Sequence, residues 1–238
     1  RAHKNFVDSL FKSEVPEINE GIVEIMGISR DPGGRTKIAV SSADSDIDAV
    51  GACVGMRGSR VQNIIQELKG EKIDIVPWSP DPARFSCNAL SPARVNKVIL
   101  DESSKIMEVI VDEDQYSLCI GRRGQNVRLA SELTQWEITV KTDIQLKEEQ
   151  QSVVKLLLTL PNISEVNANL LFAGGYHTLE DIAFGEIDSI SKSSGITNEE
   201  DINKIQLAAR NALKDRLRNI EVDDNEDDFE EDSEEKLS

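Results

Sequence analysis

Two tetrapeptides in this sequence join glycine to arginine: Gly55-Met56-Arg57-Gly58 and Gly121-Arg122-Arg123-Gly124. Glycine at both ends lets a backbone approach a phosphate with no Cβ in the way, and a helix starting just after the loop aims free N–H groups at the same anion. The arginines supply counter-charge. The chemistry on offer is capture of a sugar–phosphate backbone rather than the making or breaking of bonds. Two glycines at this spacing also arise where a helix merely ends, so context has to decide. Three features of the context favour phosphate. The motif occurs twice in matched surroundings, it carries Arg57, Arg122 and Arg123, and residues 49–66 and 115–131 contain no Asp or Glu although the chain holds 44 of them in 238 residues.

The matched surroundings amount to a duplication. Cys53, Gly55, Arg57, Gly58 and Val61 recur 66 residues later as Cys119, Gly121, Arg123, Gly124 and Val127. In the first copy, residues 21–29 and 36–40 have the alternation and β-branching of strands, and Asp31-Pro32-Gly33-Gly34 supplies their turn, which predicts a hairpin. Residues 47–53 read as a short helix. Residues 59–69 read as a longer one, with Val61, Ile64, Ile65 and Leu68 on one face and Gly70 as its stop, and residues 72–78 as a third strand. The second copy opens with a helix that Asp81 caps and Pro82 begins, running to about Leu90. Strands follow at 95–100 and 106–111, helices at 115–120 and 125–134, and a strand at 136–141. Each glycine loop thus sits between a short helix and a longer one. This is the arrangement with which KH domains clamp about four nucleotides of a single strand.

The run around Val50-Gly51-Ala52-Cys53-Val54 and the first loop, continuing through residues 73–78 and 81–84, resembles the first KH domain of the NusA family of bacterial transcription factors. Residues 115–130, from Gln115-Tyr116-Ser117-Leu118 through Arg128-Leu129-Ala130, are similar to the second. The resemblance implies an α+β fold of two tandem type II KH domains (αββααβ), expected at residues 12–80 and 81–146 and packed as one RNA surface. It also implies roles in transcription regulation, termination and antitermination, with RNA polymerase engaged through N-terminal and S1 domains that this stretch lacks. Residues 1–11 then read as the end of the S1 domain or a linker. On this reading Gly55, Met56, Arg57, Gly58, Gly121, Arg122, Arg123 and Gly124 hold the backbone of nascent single-stranded RNA. Arg60, Gln62, Asn63, Gln125, Asn126 and Arg128 stand on the first turns of the next helices as nearby polar contacts, and Val54, Val61, Ile120 and Val127 floor the groove.

Beyond about residue 147 the pattern predicts helices alone, at 153–160, 165–172, 179–184 and 198–219. Thr178 with Asp181, and Thr197 with Glu200, have the spacing of capping boxes. Residues 160–164 and 173–183 resemble a helix-hairpin-helix-like acidic repeat, expected as a small all-α helical module at 150–219. Asn162-Ile163-Ser164 lacks the glycines of a DNA-gripping hairpin and the module is acidic, so protein contact is expected rather than DNA contact, and the resemblance implies other transcription factors as the partners. The net charge of −17 argues against nucleic-acid binding through the overall field, but residues 1–150 carry only −5 of it. Eleven acids lie within residues 221–235, and residues 220–238 are expected to be a disordered acidic tail that competes for the loops.

Catalysis is not expected. There is no GxxxxGK[ST], no HExxH and no metal-ligand cluster, and the chain has two histidines, His3 and His177. Cys53, Cys87 and Cys119 are too far apart in sequence for a zinc knuckle and read as reduced thiols, so neither a metal nor another cofactor is expected. No apolar run suits a membrane or a signal peptide, which predicts a cytoplasmic protein cut from a longer chain. The alternative, a KH-containing RNA-processing or ribosome-associated protein, calls for catalytic machinery or a basic tail.

Overall fold

Alternating isoleucines and valines in each repeat close a layer of helices onto a small sheet. The computed structural model describes residues 2–234, with side chains as far as Arg216 and at Arg218. The chain divides into two units, residues 1–143 and 144–238. The first repeat runs α1 (Lys4–Glu14), α2 (Pro16–Asn19), β1 (Val23–Asp31), β2 (Arg35–Ser42), α3 (Ala49–Val54), α4 (Ser59–Glu67) and β3 (Lys72–Pro77). The second runs α5 (Pro82–Ala89), β4 (Lys97–Asp101), β5 (Ile106–Val111), α6 (Glu113–Ile120), α7 (Gln125–Thr134) and β6 (Glu137–Thr142). In each sheet the first two strands pair antiparallel and the last joins the middle strand in parallel. This is the expected αββααβ order, with one short extra helix in the first repeat.

The N-terminal boundary differs from the expectation. Residues 4–14 are not a leader to the first repeat but its first helix: Val7 and Phe11 are fully buried in one cluster with Ile38, Cys53 and Ile64. Phe6, Val7, Leu10 and Phe11 form an apolar stripe at helical spacing, and the Nδ1 of His3 accepts from the Asn5 N–H at 3.2 Å to cap the helix. Phe11→Ala will destabilise the first unit by about 3–5 kcal/mol. The two tryptophans, Trp78 and Trp136, both lie in this unit, so urea unfolding followed by their fluorescence reads it. An unchanged transition would return residues 4–14 to a dispensable leader.

The first sheet is a middle layer. Ile38 and Val40 belong to the cluster under the first repeat's helices, whereas Ala39 and Val76 belong to the core of the second repeat, with Leu90, Met107 and Leu133. Because side chains alternate along a strand, burial of residues 38, 39 and 40 together requires cover on both faces. The second repeat supplies the outer cover through α5 and α7. The two repeats are therefore one packed body.

The second unit is helical. It comprises α8 (Asp143–Leu157), α9 (Glu165–Ala173), α10 (Leu179–Phe184), α11 (Ile187–Ser194) and α12 (Glu199–Glu234), around a core of Leu157, Leu171, Leu179, Ile182, Ile190 and Ile202. The second unit starts at residue 144 rather than 150, because α8 extends toward the N-terminus through polar residues that carry no strong periodicity. The Thr178–Asp181 box forms as expected. At α12 the cap is one residue later than expected: Asn198 Oδ1, not Thr197, accepts from the Glu200 N–H at 3.1 Å. The acidic tail expected to be disordered, residues 220–238, has no described side chains. The backbone of α12 continues to Glu234, and residues 196–238 contain no Gly or Pro to stop it. The tail's side chains and residues 235–238 lie outside the described residues. No helix is long and apolar enough to cross a membrane among the described residues.

Candidate nucleic-acid interface

The two glycine loops adopt one conformation. Gly55 has φ 73°, ψ 174° and Gly121 has φ 74°, ψ 174°; Gly58 and Gly124 are both left-handed, at φ 80° and 72°. The region near φ 73°, ψ 174° is open essentially to glycine alone. Arg57 and Arg123 share φ 55°, which a side-chain-bearing residue adopts at some cost. A hydrogen bond closes each turn, Gly58 N–H to Gly55 O at 3.1 Å and Gly124 N–H to Gly121 O at 3.2 Å. Sequence repetition here means repetition of shape.

The glycines divide their work differently from the expectation. A Cβ on Gly55 would lie 2.7 Å from Arg60 Cγ, and one on Gly121 would lie 2.7 Å from Asn126 Cβ and 2.9 Å from the Asn126 backbone nitrogen. The first glycine of each loop therefore admits the protein's own next helix. At Gly124 a Cβ would meet nothing within 4 Å, so space is open on that side.

Arg57, Arg122 and Arg123 are exposed, and none has an ion-pair partner among the described residues. Met56 stands 87% exposed between Gly55 and Arg57. Behind the loops, α4 and α7 begin with no side-chain cap, unlike α3 and α5, which Asp48 and Asp81 cap. The N–H groups of Ser59 and Gln125, the first residues of α4 and α7, are taken up by the carbonyls of Met56 and Arg122 within each loop, while no side chain caps the turn that follows, and the guanidinium groups beside it have no ion-pair partner among the described residues. Val54, Val61, Ile120 and Val127 are half-buried beside them. Cys53 and Cys119, two residues before each loop, are fully buried. Burial pushes their thiols up to about 12 and about 11, so both stay neutral packing groups.

Five of the six polar residues expected on the following helices are engaged by the protein itself. Arg60 donates to Glu17 Oε2 at 2.8 Å and to the Ala52 carbonyl at 2.6 Å, and Asn63 donates to Glu14 Oε1 at 2.7 Å. Gln125 donates to Asp31 Oδ2 at 2.5 Å, and Arg128 lies 3.3 Å from Asp31 and 3.2 Å from Glu132. Asn126 is buried at 3% exposure and donates to the Leu90 and Cys119 carbonyls at 3.0 Å each. It ties the ends of α5 and α6 beneath the loop and is out of reach of a ligand. Gln62 alone of the six is exposed with no such bond. The acids that engage Arg60, Asn63 and Gln125 lie 43, 49 and 94 residues away in sequence. Only the proline and glycine turn after Asp31 hinted that such a partner existed.

A second polar cluster underpins the first repeat. Glu71, 1% exposed, receives Arg30 Nε and a terminal Arg30 nitrogen at 2.9 and 3.0 Å, the Gly33 N–H at 2.9 Å and the Thr36 hydroxyl. Lys37, with no exposed side-chain surface, meets Asp74 at 3.0 Å across the paired strands β2 and β3, where Arg35 joins it at 2.6 Å. These pairs fix the hairpin that carries Asp31.

Comparison with known proteins follows the same division. Residues 1–78 match the family described as NusA-like first KH domain, and residues 82–148 the NusA-like second KH domain. The protein named "Transcription termination/antitermination protein NusA" from Rickettsia prowazekii (strain Madrid E) is 44% identical over 206 residues, 84% of this chain and 41% of that protein. Its counterpart from Rickettsia conorii (strain ATCC VR-613 / Malish 7) is 45% identical over the same shares. The chain thus spans about two fifths of the length of these relatives. A solved structure described as "Crystal structure of APE1850" aligns over 58% of this chain and 96% of that one, at 22% identity and a TM-score of 0.44.

Proposed function

The chain belongs to the NusA-type tandem-KH family, and from that premise we propose that it is a non-enzymatic, cytoplasmic RNA-binding factor of transcription termination and antitermination. Its two loops hold the backbone of a single RNA strand. Gly55, Met56, Arg57 and Gly58, and Gly121, Arg122, Arg123 and Gly124, line the contact, with Gln62 beside the first. The observation that carries this reading is the pairing of two loops of one conformation with uncapped helix starts and three unpaired arginines. RNA polymerase is the machinery on which such a factor acts, and the helical unit is a surface for other transcription factors. Bases lying over Val54, Val61, Ile120 and Val127 meet few side-chain hydrogen-bonding groups, so sequence preference is modest.

Fluorescence anisotropy with labelled single-stranded and duplex RNA tests this. Single-stranded RNA should bind more tightly, and the log–log salt slope should be about −2, three phosphates at roughly −0.7 each. A zero slope, or equal binding of duplex, would exclude backbone clamping of single strands.

A further inference from the structure

We propose that Asp31, in the hairpin of the first repeat, is a built-in counter-anion that limits how strongly the second repeat's loop holds RNA. The inference rests on the RNA reading above and deepens it. One edge of the first hairpin lies along a single face of α7. A Cβ on Gly27 would lie 3.3 Å from Leu133, and Ser29 Oγ donates to the Leu129 carbonyl at 2.7 Å in a buried contact. Asp31 Oδ2 takes Gln125 Nε2 at 2.5 Å and stands 3.3 Å from Arg128. Residues 125, 128, 129 and 133 follow helical spacing, so the hairpin grips the helix whose N-terminus carries the Gly121–Gly124 loop. The fit is tight, since a Cβ on Gly34 would lie 2.9 Å from Gln125 Nε2.

The two bonds to Asp31 are unequal. Gln125 begins α7, is partly buried and holds the carboxylate in place, whereas the Arg128 side chain is 51% exposed and shared with Glu132. Exposed ion pairs are weak and exchangeable. A phosphate reaching the second loop therefore competes with the Asp31 carboxylate for Arg128. The first loop differs: Gln62, neutral, stands at the position 66 residues before Arg128, and the acids beside α4 engage Arg60, which a backbone carbonyl also holds, and Asn63. The first repeat thereby tunes the second.

Asp31→Asn tests the inference, because the amide oxygen still accepts from Gln125 while the charge is removed. The whole 238-residue chain is titrated against a fluorescein-labelled single-stranded RNA 12-mer of mixed sequence across a series of KCl concentrations, with circular dichroism confirming the fold. Asp31→Asn should bind about threefold tighter at low salt, the scale of one exposed ion pair. Its salt slope should steepen by about 0.7, one further phosphate contact. Asp31→Asn/Arg128→Ala should lose both gains relative to Arg128→Ala. Wild-type binding with no gain in Asp31→Asn, or an equal gain in the double variant, would overturn this inference alone. Failure of the wild-type chain to bind any single-stranded RNA would overturn the RNA reading beneath it.

Discussion

Reversing the three loop arginines together, Arg57→Asp, Arg122→Asp and Arg123→Asp, will weaken single-stranded RNA binding by about 1,000-fold, roughly tenfold or 1.4 kcal/mol for each lost charged contact. Thermal stability should barely move. All three side chains are exposed and make no ion pair among the described residues, and aspartate is among the residues that best tolerate the left-handed backbone of positions 57 and 123. The loop glycines are poorer targets. Gly121→Asp would force a Cβ against the Asn126 backbone at 2.9 Å and leave a non-glycine residue at φ 74°, so lost binding there would mix misfolding with lost contact. Anisotropy titration and a melting curve on the triple arginine variant separate the two. Retained affinity with a native melt would show that the loops do not hold RNA.

Glu71→Ala will destabilise the first unit by about 3–5 kcal/mol, the cost of removing one partner from a buried ion pair. Glu71 joins β1 through Arg30, the hairpin turn through Gly33 and β2 through Thr36, so its loss leaves Arg30 without its carboxylate partner. Burial alone raises the pKa of Glu71, but the hydrogen bonds from Arg30, Thr36 and Gly33 outweigh it and hold the carboxyl below its ordinary value. A carboxyl with a lowered folded pKa contributes stability that is full above its unfolded value of about 4.3 and lost as pH falls through the folded one. Asp74, lowered by Arg35 and Lys37 against its own burial, acts in the same direction. Urea titrations followed by tryptophan fluorescence should therefore show a wild-type advantage over Glu71→Ala that is constant near neutrality and shrinks below about pH 4. An advantage independent of pH would contradict the assignment of Glu71 as an ionised partner of Arg30.

Much of the architecture was legible because it rests on short-range signals. Hairpin, loop and helix boundaries followed from β-branched alternation, from Asp31-Pro32-Gly33-Gly34 and from apolar spacing in α4 and α7, each decided within a few residues. Helix α1 was missed as part of the first repeat although Phe6, Val7, Leu10 and Phe11 marked it, because an amphipathic stripe does not say which core it serves.

The site divides along the same line. By itself the sequence determined where two glycine loops stand and that they match, since a glycine at φ 73°, ψ 174° and the helix start after it are local properties of a few residues. Only the tertiary structure decided which polar groups around those loops are free. Arg60, Asn63 and Gln125 are drawn off by Glu17, Glu14 and Asp31, which packing brings from 43 to 94 residues away, while Arg57, Arg122 and Arg123 have no ion-pair partner among the described residues. Charge capture depends on distances of about 3 Å, and sequence separation carries no information about those until the sheet of the first repeat is laid against α7.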